Sequence, residues 1–193
     1  MKQSLSDVQK QAVSHLNGPM IVLAGPGSGK TTVITKRIEY LIKYAKINPA
    51  HILVITFTKA AAAEMKERFL KLMPPDGKRV TFGTFHAVFF MILKHAYHYE
   101  ASNVIREDER MHLMREMVYS MRLDFEDETE FVQNILSEIS FVKNSRQELE
   151  HYYSMNCAKD VFISIFQEYQ EYLKRHRKID FDDMLVYTYE LFC

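Results

Sequence analysis

The chain has 193 residues, of which 47% are apolar and 26% charged, with 13 Phe and 11 Tyr, a composition that excludes intrinsic disorder and allows one domain or a little more. Its formal charge of zero hides an asymmetry: residues 1–99 carry 14 Lys and Arg against 5 Asp and Glu, residues 100–193 carry 11 against 20, so the halves stand at +9 and −9. Two cysteines, Cys157 and Cys193, exclude a disulfide framework and a Cys-rich zinc site. No apolar run approaches the roughly 18–20 residues of a membrane span, and the first five residues lack the apolar core of a signal peptide. These features predict a cytoplasmic protein without a membrane partner. The basic half is either a polyanion-binding surface or a solvated face attracted to the acidic half.

In chain order, Leu5, Val8, Ala12, Val13 and Leu16 recur at helical spacing before Asn17-Gly18-Pro19 ends the helix. Met20–Ala24 is a short apolar run that predicts a buried strand, followed by a Gly-rich turn and an amphipathic helix from Gly29 to Lys46. Asn48-Pro49 breaks the chain, Ile52–Phe57 predicts a second strand, and Ala60–Leu72 a second helix of this series. Pro74-Pro75-Asp76-Gly77 is a turn, Arg79–Gly83 a third strand, and Thr84–His98 a third helix with Thr84 as its N-cap. Three βα units in succession imply an α/β fold with a parallel sheet covered by helices. From about residue 100 no strand-like run recurs. Phe131, Ile135, Ile139 and Val142, and then Val161, Ile165, Tyr169 and Tyr172, mark helices, and Met111, Met114, Met117 and Met121 read as core packing. The segment 101–176 is therefore expected to be an all-helical subdomain.

Ala24-Gly25-Pro26-Gly27-Ser28-Gly29-Lys30-Thr31 fits the phosphate-binding loop, with Ala24 in place of the pattern's first Gly. Glycines let the backbone aim several N–H groups at an anion, and the helix that follows adds its positive end. Pro26 has no N–H, so the cradle comes chiefly from Gly27 to Thr31. Lys30 is expected to neutralise the β- and γ-phosphates of ATP, and the Thr31 hydroxyl to join the coordination of Mg²⁺. Hydrolysis needs in addition a carboxylate at the end of another buried strand, and none is found: Asp124 follows Met121-Arg122-Leu123, and Asp180 follows a basic stretch ending in Ile179. Either the chain is a binding module without catalysis, or it stops before its catalytic half.

The segments around this loop resemble those of superfamily 1 DNA helicases of the UvrD/Rep/PcrA type. Leu5–Val13 resembles the Q-motif, in which the residue at the position of Gln9 reads the adenine edge, a task suited to an amide. Ile55–Met65 is similar to motif Ia and Gly83–Ala87 to motif Ib. The resemblance implies that Phe57 offers a stacking face to single-stranded DNA, that Thr56, Thr58, Thr84 and His86 bond its phosphates or sugars, and that Phe85 belongs to the same surface. Lys178–Leu185 resembles the DFxDLL segment through which the chain returns from subdomain 1B to 1A.

That likeness implies a RecA-like 1A core over residues 1–100, the helical 1B subdomain over 101–176, and a return segment over 177–193 that ends before Walker B. The expected parent is an ATP-dependent 3′–5′ helicase acting on single-stranded and 3′-tailed DNA together with its 2A and 2B domains, and the fragment alone is expected to be inactive in hydrolysis and unwinding. Two departures keep alternatives open. Lys59-Ala60-Ala61-Ala62 is similar to AddA-type helicase–nuclease subunits, and Thr32 stands beside the ATP site where UvrD and PcrA commonly have Arg. The second alternative is a non-catalytic P-loop binding module that recruits a partner through its acidic half.

Among the remaining residues, His95 and His98 have no third ligand at a fitting spacing, so no metal site is expected there. Lys174-Arg175-His176-Arg177-Lys178 is either a DNA contact or a solvated helix end. Asp182 and Asp183 could pass for a catalytic pair but are expected to have a structural or coupling role.

Overall fold

The computed structural model describes residues 5–73, 76–121, 123 and 127–193. It divides into two compact units, Met1–Val88 and Phe89–Cys193.

The first unit opens with helix α1 (Asp7–Ser14), capped by Ser6, whose hydroxyl accepts from the Gln9 N–H while the Gln9 side chain accepts from the Ser6 N–H. Helix α2 (Lys30–Lys43) packs against α1, and the Arg37 guanidinium donates to the carbonyls of Ala12 (2.9 Å) and His15 at the end of α1. That pair of bonds satisfies carbonyls the helix itself leaves free. Strand β1 (Leu53–Thr56) leads to α3 (Lys59–Leu72), and β2 (Thr81–Thr84) leads to α4 (Phe85–Tyr97), which begins in this unit and continues in the second. The two strands pair in parallel with Leu53 opposite Thr81 and Thr56 opposite Thr84. Buried Ile38, Ile52, Phe69, Met73 and Val80 form the core, in which α3 covers both strands.

The sheet is smaller than predicted. Met20–Ala24, expected to be the first buried strand, is in no strand, and Ile21 and Leu23 are 88% and 93% exposed. An apolar run becomes a strand only where a neighbour completes its hydrogen-bond ladder, and no described segment pairs with this one. The third predicted strand is displaced from Arg79–Gly83 to Thr81–Thr84, because Asp76–Arg79 winds into a 3₁₀ turn. Thr84 caps α4 as expected, accepting from the Ala87 N–H at 3.3 Å. Pro74 and Pro75 of the predicted turn, and Arg122 and Asp124, lie outside the described residues.

The second unit is helical among its described residues apart from a single parallel bridge between Val104 and Ile179. Its helices α5 (Glu107–Ser120), α6 (Glu128–Ser145) and α7 (Lys159–Arg175) enclose one core containing fully buried Met114, Ile135, Phe162, Ile165 and Tyr169. Met114 and Met117 are buried and Met111 and Met121 partly so, as the spacing predicts. Helix α8 (Phe181–Phe192) closes the chain and packs against α6.

A polar cluster is embedded in this packing. Asp180 caps α8 in a reciprocal box with Asp183, each carboxylate accepting the other's backbone N–H. The Lys143 ammonium lies 2.8 Å from Asp180 and 2.6 Å from Asp183, the Tyr169 hydroxyl donates to Asp180 at 2.9 Å, and all four side chains are buried. Asp182 instead accepts from Ser140 (2.8 Å) and Asn144 (2.7 Å), so all three aspartates tie the start of α8 to α6.

Two carboxylates share one cation here, and they divide unequally. Burial pushes the Asp183 carboxyl up to about 6 against the pull of Lys143, with the charge of Asp180 adding to the rise. Burial also opposes ionisation of Asp180, but Lys143, the Asp183 N–H and Tyr169 together outweigh it and hold that carboxyl below the ordinary range. A carboxyl raised on folding contributes stability that is complete below its unfolded value and is lost as pH rises through its folded value. Asp183 therefore lowers stability between about pH 4 and 7, by on the order of 3 kcal/mol. Urea titrations of Asp183→Asn at pH 4.5 and pH 7 are expected to show a flatter pH dependence than the parent chain, and an unchanged slope would exclude Asp183 as its source.

Candidate nucleotide and nucleic-acid site

Residues 25–29 form the turn between segment 20–24 and α2. Gly27 and Gly29 have φ of 73° and 80°, left-handed values that a side chain would strain, and Gly29 is the N-cap of α2. The Gly29 position is also closed on one side: a Cβ there would lie 3.4 Å from the Gln9 amide nitrogen. Ser28 tightens the turn, its hydroxyl donating to the Gly25 carbonyl at 2.7 Å. Around Gly25 and Gly27 a Cβ would meet nothing within 4 Å, so the loop presents open space beside its backbone.

Two side chains define the state of this loop. The Lys30 ammonium folds back onto the carbonyls of Ala24 (3.2 Å) and Gly25 (2.8 Å). The Gln9 amide donates to the Ser28 carbonyl at 3.0 Å, and its oxygen accepts from Ser6. An amide has two donors and two lone pairs, so each end of Gln9 keeps one further bond to give. Thr31 lies in the first turn of α2, half-buried, and Thr32 beside it is exposed. Two concavities flank Gln9. One of about 440 Å³ is lined by Leu5, Ser6, Gln9, Gly27–Gly29 and Thr32. The other, about 460 Å³ and mostly apolar, lies between α1, α2 and segment 20–24 and includes Val8, Val22 and Ile34.

The second set of predicted residues gathers at the C-terminal ends of the strands. The parallel register places Thr56 opposite Thr84, which brings Phe57 after β1 beside Phe85 at the start of α4. Phe57 is 91% exposed, and its ring centroid lies 5.6 Å from that of Phe85 at a tilt of 52°. Thr58 caps α3, accepting from the Ala61 N–H at 3.1 Å, and the Thr56 hydroxyl donates to the Thr58 carbonyl. His86 is exposed in the first turn of α4, whereas Thr84 is buried with its hydroxyl engaged as a cap. Of the predicted DNA-facing residues, Phe57, Thr58, Phe85 and His86 are thus exposed, Thr56 is half-buried and Thr84 is not exposed.

Sequence reasoning overlooked Ser6 and Arg37, which hold Gln9 and α1 in place. The Ser6-x-x-Gln9 spacing is that of a capping box and carried the signal for the first. Arg37 acts across 22 to 25 residues of chain and left no local signal. No group of three His, Cys, Asp or Glu among the described residues is placed to hold a metal, and no described helix is long and apolar enough to cross a membrane.

Residues 5–193 match the family described as the UvrD/REP helicase N-terminal domain. Over 194 residues the chain is 34% identical to YjcD of Bacillus subtilis, covering 97% of this chain and 25% of that protein. It is 32% identical to the ATP-dependent DNA helicase PcrA of Bacillus subtilis, covering 97% of this chain and 26% of the relative. The PcrA of Leuconostoc citreum is also 32% identical, over all of this chain and 26% of its own length. The chain thus spans about a quarter of the length of these relatives.

Proposed function

We propose that this chain, which belongs to the UvrD/REP helicase N-terminal domain family, is the ATP- and single-stranded-DNA-binding part of an ATP-dependent 3′–5′ DNA helicase. The observation that carries this reading is the loop before α2, where two left-handed glycines, the adjoining Lys30 and a clamped Gln9 stand together on one open surface. We assign residues 1–100 to a RecA-like 1A core, 101–176 to subdomain 1B and 177–193 to the return into 1A.

The residues fit a nucleoside triphosphate. Open backbone at Gly25 and Gly27 leaves room for phosphate oxygens, and the N–H groups at the start of α2, with the helix's positive end, supply donors. Lys30 exchanges its two carbonyl contacts for phosphate oxygens, a neutral acceptor for an anionic one. Gln9 uses its spare donor and lone pair on the adenine edge, with Gly27–Gly29 and Thr32 beside it. The Thr31 hydroxyl supplies one oxygen toward Mg²⁺, which when bound with ATP neutralises charge on the phosphates. Phe57 and Phe85 form a tilted aromatic pair on which a base can stack, with Thr58 and His86 at its margin for the sugar-phosphate.

Chemistry beyond binding needs a Mg²⁺-holding carboxylate and a group that positions water, and Gln9, Lys30 and Thr31, the side chains assigned to the nucleotide, include no carboxylate. The chain alone is therefore expected to bind Mg-ATP and single-stranded DNA weakly and to turn over no ATP. Titration of a fluorescent ATP analogue, followed by competition with ATP and GTP, tests this reading. Gln9→Ala is expected to erase a preference for ATP of about tenfold, the worth of one well-made hydrogen bond. A chain that binds neither nucleotide, or an unchanged preference in the variant, would overturn the adenine assignment.

A further inference from the structure

The second unit has a concave site of its own. A cavity of about 450 Å³ opens at the C-terminal end of α7, lined by Tyr99, Gln170, Lys174, Arg177, Lys178 and Tyr187 among others. It is the basic spot of an acidic region: of the 11 Lys and Arg in residues 100–193, four fall at positions 174, 175, 177 and 178.

The charges there are not all spent internally. Lys178 is paired with Glu109 at 3.0 Å, and Arg175 with Glu171, the one acidic lining residue, also at 3.0 Å. Lys174 and Arg177 have no carboxylate within ion-pair distance among the described residues. Arg177 is also held in place. Its φ of 51° is left-handed, its carbonyl accepts from Asn103 at 2.8 Å, and its guanidinium donates to the Tyr97 carbonyl at 3.2 Å. A bulky residue adopts that backbone only where surrounding bonds enforce it. In the same lining the Gln170 amide nitrogen is buried with no hydrogen-bond partner, a donor lacking its acceptor.

An occupant must therefore bring negative charge and several acceptor oxygens, and it meets two tyrosine rings. A phosphodiester supplies two unesterified oxygens and one negative charge, and a neighbouring base supplies a flat face for the rings. We propose that this cavity binds a backbone phosphate of a nucleic-acid strand through Lys174, Arg177 and Gln170, with an adjoining base against Tyr99 or Tyr187. This rests on the DNA-binding reading above and adds a contact in the second unit that is independent of Phe57. The acidic remainder of the unit repels a polyanion elsewhere and so confines it to this spot.

The test is fluorescence anisotropy of a labelled oligothymidine with the full chain across a salt series. Lys174→Gln/Arg177→Asn removes both cations, asparagine being at ease in the left-handed backbone. It is expected to weaken binding about tenfold and to flatten the salt dependence by about 0.7 in log–log slope, the share of one neutralised phosphate on a single strand. Lys94→Gln/Lys159→Gln removes the same charge elsewhere and is expected to leave binding nearly unchanged. Gln170→Met is expected to weaken binding without lowering the melting temperature, because it replaces an unsatisfied donor with an apolar group. Equal losses in the two double variants overturn the proposal. Loss with Phe57→Ala but none with Lys174→Gln/Arg177→Asn overturns it while leaving the strand-end site intact, and no binding by the parent chain overturns both.

Discussion

Lys143→Met is expected to destabilise the second unit by about 3–5 kcal/mol at pH 7, the cost of removing one partner from a buried ion pair. Methionine matches the lysine stem in length and volume, so the loss isolates the charge from the packing. Without the ammonium, the Asp180 and Asp183 carboxylates stand buried, with only each other's backbone N–H and the Tyr169 hydroxyl to favour the ionised form. One of them must then take up a proton on folding, so the deficit shrinks as pH falls toward 4 and grows as it rises toward 8. Against a total stability of about 5–15 kcal/mol the effect is large, and urea denaturation monitored by circular dichroism measures it. Adding Asp180→Asn and Asp183→Asn to Lys143→Met removes the stranded charges and is expected to restore much of the loss. A single variant within 1 kcal/mol of the parent would show that the ammonium is dispensable there.

That cluster also marks the boundary of what the sequence discloses. Lys143 follows Ile135, Ile139 and Val142 on the buried stripe of α6, where a lysine is out of keeping with its neighbours, yet its partners lie 37 and 40 residues away. Nothing local pairs them. The glycine turn before α2 was legible for the opposite reason, since Gly27, Gly29, Lys30 and the start of α2 lie within four residues and each requirement is local. Strand β1 was legible as well, an apolar run leading into a helix, and β2 begins two residues beyond its predicted start.

Segment 20–24 has the same local character and failed as a strand, because apolar periodicity reports a preference for burial and says nothing about whether a hydrogen-bonding neighbour is present. The strand-end site lies between these cases. Phe57 and Phe85 were each named from motif likeness, but their contact depends on the Thr56–Thr84 register, which is a property of the pairing and of neither strand alone.

Lys30→Ala separates nucleotide binding from folding. In the chain as described, Lys30 bonds only the exposed carbonyls of Ala24 and Gly25, groups that water solvates when the ammonium is gone. The melting temperature is therefore expected to move little, as for an exposed substitution. Nucleotide affinity is a different matter, because the same ammonium faces anionic oxygens once the phosphates are bound, and charge-assisted bonds contribute about 1.5–3 kcal/mol each. Mg-ATP affinity is accordingly expected to fall about 10- to 100-fold, and affinity for adenosine, which carries no phosphate, to stay unchanged. The contrast between the two ligands is the decisive readout. If ATP and adenosine affinities fall together, Lys30 supports the loop and not the phosphates. If neither falls, the phosphate-binding assignment of residues 24–31 is wrong, and with it the nucleotide site on which the helicase reading depends.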